Sequence, residues 1–254
     1  MKRINVFMMT ACMVLFPMLQ SCDNDDGHYS IGDFTVSWAT VRTTGNAFYL
    51  NSDTWGTCWL VNTNLGHYQG VDGQRVFAMF SPMADNFDGY DHAVQLLDIR
   101  DALTKSVDTL TVNNDEELGN DPVRVYQGDM SVSGGYLNLV FMQNMPNDMK
   151  TRQRISLAAD ESYFKESGKA PRADDGYIHL ELRYNTYKNT TGFYNAALVS
   201  FNLNQLDITS ATKGIKVKLN SEVNGEVEVT LDMKSAEEPS NAISNFDFSK
   251  MQLK

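Results

Sequence analysis

Four oxygen-bearing side chains surround a glycine in the run Asp85-Asn86-Phe87-Asp88-Gly89-Tyr90-Asp91. Carboxylate and amide oxygens are the ligands a hard cation prefers, so Asp85, Asn86, Asp88 and Asp91 form a candidate calcium set. The spacing is not that of an EF-hand loop, and no bidentate Glu closes it. Asp, Asn and Gly also build ordinary hairpin loops, which is the reading we favour. His179 and Glu181 stand two positions apart, so on a strand they would share a face and could act as an acid–base couple. They also fit a solvated His179/Glu181/Arg183 stripe opposite a buried Ile178/Leu180/Leu182 stripe, which is the simpler reading.

Other chemistries find less support. The histidines, His28, His67, His92 and His179, have no spacing that places two ligands on one helical turn or on adjacent strand positions. No cysteine partners them, so no zinc site is expected, and no other cofactor is implied. There is no Gly-x-Ser-x-Gly elbow, and Cys58, between Trp55 and Trp59, reads as a small buried hydrophobe rather than a nucleophile. Gly134-Gly135 reads as a hairpin turn rather than a phosphate cradle. With 32 Asp+Glu against 21 Lys+Arg, a net charge of -11 and no basic stripe, the chain is not expected to bind nucleic acid.

The N-terminus reads as an address. Lys2 and Arg3 precede an uncharged apolar run from Ile4 to Leu19, the layout of a secretory signal peptide over residues 1–21. The run is shorter than the ~20 residues of a comfortable membrane span, which disfavours an uncleaved anchor. Leu19-Gln20-Ser21-Cys22 resembles the lipobox of bacterial lipoproteins, which makes Cys22 the expected lipid attachment residue and the membrane a partner through that lipid. Asp23, Asn24, Asp25 and Asp26 resemble the export signal that sends lipoproteins of Bacteroides-type bacteria to the outer face of the outer membrane. They also suit a solvated tether, residues 22–31. After processing only Cys58 remains, so no intrachain disulfide is available and core packing must supply stability.

The elements that carry these residues read as strands. Phe34, Val36 and Trp38 alternate with Thr35, Ser37 and Ala39, and the same period of two recurs at Leu137–Phe141, Ile178–Tyr184 and Ala197–Leu203. Such alternation marks antiparallel sheets with one buried face and one wet face. Ile215 to Leu219 returns through Asn224-Gly225 to Val227, Val229 and Leu231, a hairpin with a two-residue primed turn. Helix signals are weak, with a short turn expected around Ile99 to Leu103. The polar run Asn113 to Pro122 lacks an apolar period and contains Gly and Pro, so it is read as the junction between a first domain, 32–115, and a second, 116–254. The first suits a small barrel and the second an antiparallel β-sandwich, giving an all-β protein.

Several segments in order are similar to one family. Cys22-Asp-Asn-Asp-Asp-Gly27, Gly32-Asp33-Phe34 through Ala39-Thr40-Val41, Asp72-Gly73-Gln74-Arg75-Val76 and the stretch Leu97-Asp98-Ile99 to Leu103-Thr104-Lys105 resemble the first half of NigD-like lipoproteins of Bacteroides-type bacteria. Gly119-Asn120-Asp121-Pro122, Asp175 to Arg183 and Leu198 to Leu203 resemble the second half. The resemblance implies an N-terminal OB-like β-barrel followed by a C-terminal β-sandwich and a loose association with bacteriocin production or immunity, and the family offers no established catalytic residues to carry over.

On that basis the chain is expected to be a non-catalytic lipoprotein on the outer membrane, facing outward and binding a protein or glycan partner. The alternative is a glycan hydrolase using a carboxylate pair on the sandwich. Tyr49, Trp55, Trp59, Tyr68 and Phe77 crowd the first domain. An OB-like barrel presents one sheet face and two loops to ligands, but rings of this kind also fill barrel cores, the reading we favour. Asp108-Thr109-Leu110 resembles the O-glycosylation signal of exported Bacteroides proteins, which makes Thr109 a candidate attachment residue.

Overall fold

Strands with a period of two carry the chain from residue 35 to residue 101: β1 (Thr35–Thr44), β2 (Ala47–Ser52), β3 (Gly56–Thr63), β4 (Arg75–Phe87) and β5 (Tyr90–Asp101). They close into a barrel in the order β1-β2-β3-β5-β4, with β4 pairing back onto β1. Closure removes the open edges that a small sheet would otherwise present. Inside lie Ala39, Val41, Leu50, Cys58, Phe80, Val94 and Leu96. The computed structural model describes residues 33–63, 65–66, 68–126, 128–146, 152–167 and 175–233. Cys22, Asp23, Asn24, Asp25 and Asp26, and with them His28 and His67, lie outside the described residues.

The second half forms two sheets. Its strands are β6 (Leu103–Ser106), β7 (Asp108–Thr109), β8 (Met130–Ser133), β9 (Tyr136–Pro146), β10 (Arg154–Ala159), β11 (Tyr177–Asn185), β12 (Gly192–Asn202), β13 (Gly214–Ser221) and β14 (Gly225–Asp232). One sheet has the order β14-β13-β11-β10-β7 and the other β6-β12-β9-β8. Leu137, Leu139 and Phe141 meet Leu157, Leu180, Leu182, Val199 and Phe201 in the core between them. Among the described residues, antiparallel pairs outnumber parallel ones by only four to three, where the alternation predicts antiparallel sheets. Three pairs are parallel: β6 with β12, β7 with β10, and β11 with β13. The last arises because β12 crosses to the other sheet, so β13 returns in the direction of β11.

Three local expectations change. Ile99 to Asp101 continue β5 and Leu103 opens β6, so no helical turn forms there. The β13–β14 connection is a three-residue loop, Glu222 to Asn224, between paired Ser221 and Gly225. Only Gly225 takes a positive φ, 70°, the pattern of a loop closed by a glycine bulge rather than a two-residue primed turn. The run Asn113 to Pro122, read as a junction, lies within the sandwich, because β6 and β7 already belong to its sheets. It contains α1 (Asp115–Leu118), whose Leu118 is buried. Its polar groups are taken up by neighbours. Arg183 Nη2 bonds Asp115 Oδ1 at 2.6 Å, Arg154 pairs with Glu117, and the Thr186 N–H donates to Asp121 Oδ2 at 2.8 Å.

Barrel and sandwich share a core of their own. Trp38 and Phe77 leave the barrel wall and pack at 5.1 Å, between centroids, beside Ala102, Val140 and Leu198. Both faces of β1 and β9 are therefore buried, where alternation alone predicts one wet face. Beneath this layer runs a polar chain. Arg75, 1% exposed, donates through both terminal nitrogens to Asp53 (2.8 and 2.7 Å), and to Thr40 Oγ1 (3.1 Å) and Asn138 Oδ1 (3.0 Å). Ser133 Oγ donates to Asp53 Oδ2 at 2.6 Å, and Ser200 Oγ donates to Asn138 Oδ1 at 2.7 Å. The Arg75 guanidinium also lies 4.4 Å from the centre of the Tyr136 ring. A buried ion pair costs less the more of its remaining donors and acceptors are met; here Asn138 and Ser133 of the sandwich and Thr40 of the barrel meet most of them, while among the described residues Arg75 Nε is left without a partner.

Candidate functional site

On β2 and β3, Leu50 and Cys58 point into the barrel core and are fully buried. Their chain neighbours Tyr49 and Trp59 must then point outward, and they face each other across the register pair Tyr49↔Trp59. Tyr90, at the start of β5, joins them. Its ring lies 5.0 Å from Tyr49 in an edge-on arrangement and 4.9 Å from Trp59 at 35°. All three rings are half-buried. Among the described residues, Tyr49 Oη, Tyr90 Oη and Trp59 Nε1 have no hydrogen-bond partner in the protein. Three rings with free polar tips thus sit on the β2–β3 face, under the β4–β5 loop, the surface on which OB folds bind ligands.

The other rings singled out in the sequence do fill structure. Trp55 packs on the barrel core with its ring edge-on to Phe80 at 6.0 Å and to His92 at 4.9 Å. Tyr68 also packs there, and its hydroxyl donates to Asp101 Oδ1 at 2.8 Å. Phe77 is sealed beneath the sandwich. The core reading holds for these three and fails for Tyr49 and Trp59. Their alternation with Leu50 and Cys58 is the sequence signal that separates them. Tyr90 was missed because it stands among the loop residues.

Two bulges extend the face. Leu60 pairs with Val94 and Asn62 with Gln95, leaving Val61 extra in β3; Pro82 pairs with Val94 and Ala84 with Ala93, leaving Met83 extra in β4. Both flank the same stretch of β5, and both extra residues are turned to solvent, Val61 at 43% and Met83 at 54% exposure. Phe87, 38% exposed, pairs with Tyr90 at the tip of the hairpin.

The candidate calcium residues occupy that hairpin and are not brought together. Asp88 and Gly89 form its two-residue turn, with φ of 48° and 87°, and Asn86 also has a positive φ of 52°. Asp85 Oδ1 lies 2.7 Å from His92 Nδ1. Asp91 Oδ2 accepts from both the N–H and the hydroxyl of Thr57, each at 2.7 Å. These bonds hold the Asp91 carboxyl below the usual carboxylate range. Among the described residues, no three His, Cys, Asp or Glu side chains are grouped as a metal ion requires.

The remaining candidates are placed as follows. Cys58 is buried, and burial, aided by the Asp91 charge, pushes its thiol up to about 12. His179 Nε2 contacts Asp175 at 3.2 Å, while Glu181 accepts from Arg183 at 3.0 Å, so the two take different partners and do not form a couple. Thr109 lies half-buried in β7, where its carbonyl accepts from Asn114 Nδ2 at 2.8 Å. Asp129 is a carboxyl held above its usual range. The cause is burial, opposed by a backbone hydrogen bond from Tyr126, and no neighbouring carboxylate contributes.

Comparison with known proteins agrees with this architecture. The NigD-like N-terminal OB domain matches residues 38–101, and the NigD-like C-terminal beta sandwich domain matches residues 106–233. Among solved structures, the chain is similar to a Bacteroides vulgatus protein of unknown function, with 26% identity and a TM-score of 0.71 over 87% of this chain and 100% of that one. It is also similar to a Parabacteroides distasonis protein described as toxin-related, with 28% identity and a TM-score of 0.62 over 84% and 96% of the two chains. A NigD-like immunity protein from Bacteroides caccae shares the fold at 15% identity and a TM-score of 0.56, over 79% and 94%. No curated protein matches the chain. From its barrel through its sandwich, the chain belongs to the NigD-like family.

Proposed function

We propose that this chain is a non-catalytic binding protein, anchored by lipid on Cys22 to the outer membrane and displayed outward, which holds a partner on the aromatic face of its barrel. The observation that carries the reading is the Tyr49–Tyr90–Trp59 cluster, three touching rings with unpaired polar tips on the β2–β3 face. Half-exposed Trp and Tyr are the residues that most often dominate recognition surfaces. Binding is favoured over glycan hydrolysis because a carboxylate pair should displace each other's pKa. Asp129, a carboxyl held above its usual range, owes its shift to burial, and Asp91, Asp175 and Glu222 are held below theirs by hydrogen-bond donors rather than by a second carboxylate. The lipid anchor rests on the order of Lys2, Arg3, the apolar run, Cys22 and Asp23 to Asp26.

The test uses whole cells expressing the full chain, Cys22→Ala or Trp59→Ala. Protease added outside should degrade the wild-type protein, and Cys22→Ala should leave the membrane fraction. After cross-linking, the partner retained by the wild type, scored separately as protein and as glycan, should be lost from Trp59→Ala. Equal retention by Trp59→Ala would refute the site, and membrane retention of Cys22→Ala would refute the anchor.

A further inference from the structure

We infer that the aromatic face docks a basic, apolar-bearing segment of a partner protein rather than a sugar chain; this rests on the barrel-face reading above and names the ligand class. Three observations point the same way.

The first is the reach of apolar surface beyond the rings. Aromatic faces alone suit stacking of sugar C–H groups, but here the two bulges place aliphatic Val61 and Met83 in water on either side of β5, and Phe87 extends the patch along the hairpin. A bulge re-aims a side chain that regular pairing would otherwise orient. The two converge on Val94, Trp59 pairs with the adjacent Ala93 and Phe87 pairs with Tyr90, so the apolar residues occupy neighbouring positions of β3, β4 and β5. Sugars gain little from isolated aliphatic groups, whereas protein segments bury them, and methionine is favoured at surfaces that adapt to a peptide.

The second is charge. No lysine or arginine occurs between Arg42 and Arg75, or between Arg75 and Arg100. The strands of the face and the β4–β5 hairpin therefore carry no exposed cation of their own. Arg75 is buried on Asp53, and Arg42 beside Tyr49 is paired with Asp72 at 3.7 Å. Asp85, Asp88 and Asp91 rim the patch from the hairpin, all exposed. A basic partner is steered to such a rim and an acidic one is repelled.

The third is the mounting. The last five residues of β4, Met83 to Phe87, are all exposed, yet the arm is held near its tip, where Asp91 accepts two bonds from Thr57 on β3. Gly56 makes room for this contact, since a Cβ there would lie 2.4 Å from Asp91 Oδ2. The arm is thus fixed against the ring cluster.

The probe is a displayed library of random 12-residue peptides, selected on the purified full-length protein in detergent. Selected peptides should be enriched in Lys and Arg together with Trp, Phe, Leu or Met. Their binding should weaken at least tenfold in Val61→Ser/Met83→Ser, weaken as salt rises, and be unchanged in Tyr194→Ala on the sandwich. Both substituted residues are more than 40% exposed, and an unchanged melting temperature would show that the double variant folds. Selected peptides without basic residues, undiminished binding by the double variant, or no selection above background would overturn the inference. A parallel screen of soluble neutral oligosaccharides separates the two levels. A glycan bound by the wild type and lost in Trp59→Ala would overturn the protein class while leaving the barrel-face site standing. Ligands indifferent to every barrel substitution would overturn both.

Discussion

Cys58 shows how far burial alone sets behaviour at the scale of a residue. Its thiol is enclosed in the barrel, donates weakly to the Gly56 carbonyl at 3.7 Å, and is pushed up to about 12 by loss of solvent and by the Asp91 charge. Because the thiolate is the reactive form, iodoacetamide at pH 8 should leave Cys58 unmodified in the folded protein and label it once guanidinium is added. A pKa raised on folding favours the protonated state. The stabilisation is therefore complete below about 9, the ordinary thiol value, and is lost as pH climbs toward about 12. Cys58→Ala should accordingly lose less melting temperature between pH 8 and 10.5 than the wild type, and equal losses would count against this account. The thiol's character was legible in the sequence from its Trp-flanked, apolar setting. Tyr90 was not, because a ring beside Asp88-Gly89 is read with the turn it follows, and only closure of the barrel brings it onto Tyr49 and Trp59.

Strands were the most legible element, and turns the least. Period-two alternation located β1, β9, β11 and β12, and both Gly134-Gly135 and Asp88-Gly89 form the tight turns their residues favour, while Asn224-Gly225 does not. Gly225 and Gly134 separate two reasons for a glycine. At Gly225, φ is 70° and a Cβ would meet nothing within 4 Å, so Gly225→Ala should lower stability by ~1 kcal/mol, the strain of a left-handed alanine. At Gly134, φ is 59° and a Cβ would fall 2.3 Å from Asp53 Oδ1. Gly134→Ala adds displacement of a buried carboxylate to the same strain and should lower stability by ~3 kcal/mol or more. Urea titration of the two variants checks the order; equal losses would mean that Asp53 relaxes freely.

At the scale of the whole molecule, the apolar pattern hid the joint. Sequence placed the boundary in a polar run because such runs usually link domains. Here the chain leaves the barrel at Asp101 without a break, and its polar run is bound by Arg154, Arg183 and Thr186. The true contact between the halves uses Trp38, Val140, Asn138 and Arg75; Arg75 and Asn138 stand 63 positions apart, and Trp38 and Val140 farther still, so the contact leaves no local signature. Asp53→Ala strands a buried guanidinium and should cost about 3–5 kcal/mol, lowering the stability of barrel and sandwich together. All three tryptophans, Trp38, Trp55 and Trp59, lie on barrel segments, Trp38 against the shared core, so their fluorescence follows the barrel and its joint with the sandwich, whereas far-ultraviolet circular dichroism follows both halves. The two signals should give one coincident urea transition, in the wild type and in Asp53→Ala. Two separated transitions would show that the shared core does not couple the halves.

Met83, raised into water by its bulge, also gives the proposed docking face a redox chemistry. Peroxide converts an exposed thioether to a sulfoxide, exchanging a soft apolar group for a strong dipole, and methionine sulfoxide reductases reverse the change. Oxidant in the surroundings would thus dull the face without unfolding the protein beneath it, and protection of Met83 from peroxide would report when the face is covered.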